Sequence, residues 1–185
     1  MSTPTSTRTP TIITVISTRT SGSTPRTPRS RWRRDALCAA DPENSTVFQS
    51  NYEKYAAELD ALDAEFREKL APLPNRTIVV AHEAFGYLCD AYGLTQVGIE
   101  GLSPDEPDPG RMAEVIDFVR EHSISTIFFE ELVSPKVAEA IASETGAQAK
   151  MLSPLEGLSD EQAAAGADYF SVMHDNLAAL MEALN

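Results

Sequence analysis

The sequence predicts an α/β protein in which a parallel β-sheet is flanked by helices, and three observations support this fold class. Short runs of β-branched and aromatic residues alternate with stretches of helical periodicity. The short runs are apolar at nearly every position, which is typical of parallel strands covered by helices on both faces. A long helical stripe precedes them. We therefore divide the chain into a tail at 1–34, a long helix at 35–74 and an α/β lobe at 75–185.

The tail has a composition that is typical of disorder. Sixteen of its 34 residues are Ser or Thr, seven are Arg and none is acidic. Such a segment buries too little apolar surface to offset the entropy that is lost on ordering. Its one apolar run, at 11–16, is shorter than the roughly 7–15 apolar residues of a secretory signal peptide. We therefore expect a disordered tail and no export signal in this chain.

The rest of the chain is strongly acidic. From Asp35 onwards there are 28 acidic and eight basic side chains, a net charge of −20. Nucleic acids and anionic membrane surfaces are repelled by such a field, so we expect neither as a partner. One alternative for the function is an acidic interaction module without a small ligand. Cys38 and Cys89 are too few for a disulfide framework.

The long helix has a clear start and end. Asp41 precedes Pro42, a pairing typical of an N-cap followed by the first helical residue. Apolar residues then recur every three or four positions from Phe48 to Leu70, and prolines at 72 and 74 stop the pattern. A helix of about 28 residues spans roughly 40 Å, which is long enough to run along two domains.

The lobe alternates predicted strands and helices. A Pro- and Asp-rich loop is expected at 103–110, and Ser159 is predicted to cap one long final helix. The strands are predicted at 77–81, 96–99, 126–130 and 148–152, and the helices between them end near Tyr92, His122 and Gly146.

Two residues stand out as candidates for ligand binding. His82 directly follows the first strand, where α/β sheets bind ligands, although a histidine there could instead cap the next helix. Asp168 lies within the predicted final helix, where the alternative is an ordinary surface acid. His122 and His174 have polar neighbours on helices, and we expect both on the surface.

A small α/β enzyme is the main alternative. Glu130 and Glu131 end a strand at the ligand edge and could pair as acid and base, or could simply solvate the strand end; His82 is the other candidate acid or base. No glycine-rich phosphate loop follows any strand, and no GxSxG motif is present. The motifs of these enzyme classes are therefore missing.

Four segments in order resemble the carboxy-terminal lobe of the metal-binding receptors of zinc and manganese ABC importers. The resemblance extends from about Asp35 to the end of the chain. In that family two α/β lobes are joined by one long helix, and one metal ion lies between the lobes. The segments are Val-Val-Ala-His-Glu-Ala-Phe-Gly-Tyr-Leu at 79–88, Phe-Glu-Glu-Leu-Val-Ser-Pro-Lys at 129–136, Leu-Ser-Pro-Leu at 152–155 and Asp-Tyr-Phe-Ser-Val-Met at 168–173.

The resemblance implies a receptor without catalysis. His82 matches the third metal ligand of the family and Asp168 the fourth, whereas the first two are histidines of the amino-terminal lobe and the segment after it. Ser153 stands where relatives often have Asp, outside the coordination shell. Imidazole nitrogen and carboxylate oxygen suit Zn²⁺, with Mn²⁺ or Fe²⁺ as alternatives. The resemblance also implies an ABC permease as partner and an extracytoplasmic location, and we expect a monomer.

The tail has a second interpretation, as a family segment that is read out of frame. Codons for residues 17–25 can be chosen so that the shifted frame encodes Asp-Pro-His-Val-Trp-Leu-Asp-Pro, which resembles the second-histidine motif of the family. The alternating threonines at 3–11 would then encode alternating histidines, as in the histidine-rich loop of zinc receptors. The gene sequence tests this hypothesis, because it requires particular third bases.

Overall fold

The computed structural model describes residues 29–99, 109–130 and 135–185. The disorder and the shifted reading frame predicted for residues 1–28 therefore lie outside the described residues. The chain divides into two units, Met1–Lys54 and Tyr55–Asn185, and the boundary falls within a long helix. No helix of the described ranges combines the length and apolar content needed to cross a membrane.

The first unit contains a helix that the sequence prediction missed. Helix α1 spans Arg29–Ala40, so residues 29–34 belong to a helix rather than to the tail. Arginine, alanine and leucine favour helix there, and α1 ends before Asp41 because a residue that precedes proline disfavours helical geometry. Residues 35–40 are consequently part of α1 and not of the long helix.

The predicted start of the long helix is confirmed. The Asp41 carboxylate accepts a hydrogen bond from the Asn44 backbone N–H at 3.3 Å and caps a 3₁₀ turn at Pro42–Asn44. Helix α2 follows at Ser45–Leu70 and is 26 residues long. Its last turns belong to the second unit, where Phe66 and Leu70 are fully buried.

The second unit is built on the predicted parallel sheet. The strands are β1 at Thr77–Val80, β2 at Thr95–Gly98, β3 at Thr126–Phe129 and β4 at Gln148–Met151. Within the described ranges all three strand pairings are parallel, and the strand order is β2-β1-β3-β4.

Helices cover the sheet on both faces. The helices are α3 at Gly86–Tyr92, α4 at Pro109–Glu121, α5 at Lys136–Thr145, α6 at Asp160–Ala164 and α7 at Tyr169–Leu184. Val80 and Phe128 pack against α2, α3 and α7 on one face, whereas Val79 and Ile127 pack against α4 and α5 on the other. This two-sided burial explains why the two inner strands, β1 and β3, are apolar at nearly every position.

The prediction of a single long final helix after Ser159 is wrong, because two helices occupy that stretch. Ser159 caps only the five-residue α6. The chain then passes through Gly166 with φ of +74°, a left-handed conformation that glycine adopts readily. Asp168 begins a new cap, and α7 starts at the next residue. Asp168 therefore lies before a helix and not within one.

Candidate metal centre

His82 lies just beyond the carboxyl end of the central strand β1. The backbone N–H of Ala81 donates to the carbonyl of Phe128 on β3 at 2.8 Å, which holds this end of β1 in the sheet. The chain then turns, and the His82 carbonyl accepts from the Ala84 N–H at 2.9 Å. The His82 side chain is half-buried at this edge.

The alternative prediction, that His82 caps the next helix, is wrong. The N-cap of α3 is Phe85, which offers no side-chain acceptor. Gln96 on β2 supplies an acceptor instead, since its Oε1 accepts a hydrogen bond from the Phe85 N–H at 2.9 Å. Within the part of the chain that the structure describes, the imidazole of His82 makes no hydrogen bond, so both of its nitrogens remain available to a ligand.

Asp168 is held by a reciprocal cap. Its Oδ1 accepts from the Ser171 backbone N–H at 2.9 Å, and its own N–H donates to Ser171 Oγ at 2.8 Å. The hydrogen bond from the Ser171 N–H is the main reason that the pKa of Asp168 is lowered. The side chain is therefore an exposed carboxylate at neutral pH, with Oδ1 committed to the cap.

The direction of α7 places Asp168 at the same sheet edge as His82. The carboxyl end of α7 lies at the amino edge, because the Leu184 carbonyl accepts from the Asn75 N–H at 3.2 Å and the Ala183 carbonyl from Ser125 Oγ at 3.2 Å. Sixteen helical residues span about 24 Å and four strand residues about 13 Å. The amino end of α7 therefore extends past the carboxyl edge of the sheet.

Aromatic rings lie at the first turn of α7, next to Asp168. The Phe170 ring stacks on Tyr55 of α2, with centroids 6.3 Å apart and planes 7° from parallel. Tyr169 meets Phe170 edge-on at 5.5 Å. These contacts attach the amino end of α7 to the long helix.

A buried amide joins α7 to the loop that follows β4. Asn176 Nδ2 donates to the Ser153 carbonyl at 2.8 Å, and Asn176 Oδ1 accepts from the Ser153 N–H at 2.8 Å. Asn176 was not among the residues predicted from the sequence, although it interrupts the apolar stripe formed by Met173, Leu177 and Leu180. A polar residue on such a stripe is a signal of a buried hydrogen bond.

The other two histidines lie elsewhere. His122 follows α4 near the amino edge of the sheet and is exposed, with its ring 4.3 Å from that of Phe118. His174 is exposed on α7, with Nδ1 3.3 Å from a carboxylate oxygen of Glu65. The prediction that both are surface residues is confirmed.

Of the two glutamates considered for the enzyme alternative, Glu130 and Glu131, the structure describes only the first. Glu130 follows β3 and is 5% exposed, so it does not serve to solvate the strand end. Glu131 lies outside the described residues. Among the described ranges, no group of three or more His, Cys, Asp or Glu residues is arranged to hold a metal ion.

Comparison with known proteins identifies close relatives. The zinc-binding protein AdcA of Streptococcus pyogenes serotype M6 is 42% identical over 148 residues, which are 80% of this chain and 29% of that protein. The high-affinity zinc uptake system protein ZnuA of Bacillus subtilis is 41% identical over 145 residues, 78% of this chain and 46% of that protein. The chain thus spans less than half the length of these relatives.

A solved structure shares the fold. The crystal structure of the Zn(II)-bound ZnuA-like domain of Streptococcus pneumoniae AdcA matches with a TM-score of 0.71 and 39% identity, over 82% of this chain and 57% of that one. The predicted fold class is therefore confirmed.

The family model agrees with these relatives. The model described as "Zinc-uptake complex component A periplasmic" (ZnuA) matches residues 33–183. This description names a periplasmic transport component, so the predictions of a receptor family and an extracytoplasmic family location are confirmed, and the enzyme alternative is not supported. The chain belongs to the ZnuA family of zinc-uptake components.

Proposed function

We propose that this chain provides the carboxy-terminal metal-binding lobe of an ABC-importer receptor and that its cargo is Zn²⁺. The observation on which the proposal depends is the placement of His82 and Asp168 at one edge of the sheet. An imidazole without a hydrogen bond to the described residues and an ionised carboxylate are both ligands that Zn²⁺ accepts.

The two side chains have different tasks in this proposal. His82 binds the ion as a neutral imidazole. Asp168 coordinates through the oxygen that is not engaged by Ser171 and also neutralises part of the charge of the ion. The remaining ligands are histidines of an amino-terminal lobe and of the segment just after it, as the family resemblance implies.

Zinc is the favoured cargo for two reasons. The relatives reported above are named for zinc binding or zinc uptake. Mixed nitrogen and oxygen ligands suit Zn²⁺ well, whereas Mn²⁺ favours a site richer in oxygen. Manganese and iron are the alternative cargoes, and competition between the metals distinguishes them.

The partner in this proposal is the permease of the importer, reached on the extracytoplasmic side of the membrane. The receptor acts as a monomer that delivers one ion at a time. The net charge of −13 gives it a field that attracts cations and repels polyanions.

Metal titration of the full chain tests the proposed ligands. Zn²⁺ affinity is measured by competition with a chelating dye for the parent, His82→Ala and Asp168→Asn. Asparagine caps helices as well as aspartate does, so Asp168→Asn removes the charge and keeps α7 capped. Each variant should weaken binding by more than about tenfold, because even residues that only orient a metal ligand cost about 10- to 100-fold when removed.

His122→Ala is the matched control, since it removes an exposed imidazole at the opposite edge of the sheet and should leave the affinity unchanged. Equal affinities for the parent and both ligand variants, with circular dichroism showing intact folds, would remove His82 and Asp168 from the site.

A further inference from the structure

We propose that Asn176 is a positioning residue for the metal site, because its bonds to Ser153 set the place of α7 and therefore of Asp168. The inference rests on the function proposed above, since it requires Asp168 to be a metal ligand.

The contact between Asn176 and Ser153 is buried and reciprocal. Asn176 is 5% exposed and Ser153 is 4% exposed. The amide both donates to and accepts from the backbone of one residue, at 2.8 Å in each direction. Two directional bonds of this kind fix the rotation of α7 as well as its distance from the loop.

The loop that receives these bonds is itself constrained. Leu155 has φ of +61°, a left-handed conformation that residues other than glycine seldom adopt. Ser153 Oγ accepts from the Leu155 N–H at 3.1 Å, and the Leu155 side chain packs against the core on the α7 face of the sheet. Asn176 therefore binds a loop that holds one defined shape.

Apolar packing alone leaves α7 less well defined. The helix buries Met173, Leu177 and Leu180 against the sheet, and such contacts have no preferred direction. The bonds from Asn75 and Ser125 meet its last two residues, at the end far from Asp168. Asn176 supplies hydrogen bonds of defined direction in the amino-terminal half of α7, which leads to Asp168.

The helix transmits this contact to Asp168. Asp168 lies eight residues before Asn176, which is about 12 Å along the helix axis and about 80° around it. A slide of α7 would move the carboxylate along the axis, and a rotation would move it sideways. The position of the ligand thus depends on a residue that does not touch the metal.

NMR of the labelled full chain separates a positioning role from a structural one. Zn²⁺ is titrated while two signals are followed, the His82 imidazole and the Ser171 amide, whose N–H binds the Asp168 carboxylate. In the parent both signals should shift together. In Asn176→Ala the His82 signal should still shift and the Ser171 signal should not, and the affinity should fall about tenfold.

Ser125→Ala is the matched control, because it removes a hydrogen bond from the far end of α7 and should keep both shifts. If Asn176→Ala does not fold, Asn176→Asp replaces it; this variant keeps the acceptor for the Ser153 N–H, and a smaller loss of the same kind is expected.

Two outcomes overturn the inference in distinguishable ways. The positioning role alone is overturned if Zn²⁺ shifts both the His82 and the Ser171 signals in the Asn176 variant and if this variant binds Zn²⁺ as tightly as Ser125→Ala does. No zinc-dependent shift of either signal in the parent overturns the proposed function and this inference with it.

Discussion

At the scale of single residues, burial gives the two cysteines different reactivities. Cys89 on α3 is 4% exposed, and burial raises its pKa to about 11. Cys38 on α1 is more accessible. Since the thiolate is the reactive form, a raised pKa leaves Cys89 protonated and slow to react at pH 8.

Alkylation with iodoacetamide at pH 8 should therefore label Cys38 first. Cys89 should react only when the chain is unfolded or when the pH approaches 11. Mass spectrometry of Cys38→Ser isolates the buried thiol, and labelling of this variant at the rate of a free peptide thiol would contradict the prediction.

The left-handed turn at Gly166 is a second feature of residue scale. A Cβ added at Gly166 would meet no atom within 4 Å, so the cost of substitution comes from φ of +74° alone. Gly166→Ala should lower the free energy of unfolding by about 1 kcal/mol, as urea denaturation can measure. Gly157→Ala is the control, since its surroundings are equally open and its φ is not positive. Equal stabilities of the two variants would contradict the assignment of strain to Gly166.

These residues also mark how far the sequence could predict the site. His82 could be predicted as a site residue because a position directly after a strand can be recognised from the local sequence alone. The cap at Asp168 was missed because helical periodicity on either side hid the break, although Gly166 and the Asp-x-x-Ser spacing of Asp168 and Ser171 were visible. The partner of Asn176 is 23 residues away, and such a pairing is decided only by the folded chain.

At the scale of secondary structure elements, Arg76 connects the ends of two helices. Its Nη1 donates to the Leu70 carbonyl at 2.7 Å, where α2 ends, and its Nε donates to the Gly93 carbonyl at 3.0 Å, where α3 ends. Its Nη2 donates to the Tyr92 carbonyl as well. Helix ends leave carbonyls without partners, and a cation is favoured beside them.

Arg76→Met should lower the free energy of unfolding by about 2 kcal/mol, because several charged hydrogen bonds to backbone carbonyls are lost. Urea denaturation followed by circular dichroism measures the change. Arg120→Met is the control, since exposed Arg120 donates to one carbonyl, that of Glu144. A loss as small as that of the control would show that Arg76 does not stabilise the two helix ends.

Among the elements, the strands were predicted more accurately than the helices. Each predicted strand matches an observed one to within two residues, because β-branched runs between turns leave few alternatives. Helix α1 was missed because the composition of residues 1–34 was averaged over a segment whose last six residues favour helix.

At the scale of the whole molecule, metal binding and folding are linked. A ligand that binds only the folded chain stabilises it by mass action. Zn²⁺ at ten times its dissociation constant should raise the free energy of unfolding by about 1.4 kcal/mol, and EDTA should remove the effect without unfolding the chain. Thermal unfolding measures the shift, and His82→Ala provides the control. The same stabilisation in that variant would show that Zn²⁺ binds elsewhere.

The fold of the whole molecule could be predicted because alternating apolar strands and helices admit few architectures. The strand order could not be derived from that alternation, because β1 pairs with β3 although one strand and two helices lie between them along the chain. The register of Val79 against Ile127 is a contact between distant segments, and local patterns do not encode it.

The order of these elements has a consequence during synthesis. Helix α7, at Tyr169–Leu184, covers the face of the sheet that includes Val80 and Phe128, and it follows every described strand along the chain. During synthesis the strands therefore leave the ribosome before α7 does, and until α7 emerges it cannot cover that apolar face. In this interval the nascent polypeptide presents a surface that a chaperone can hold.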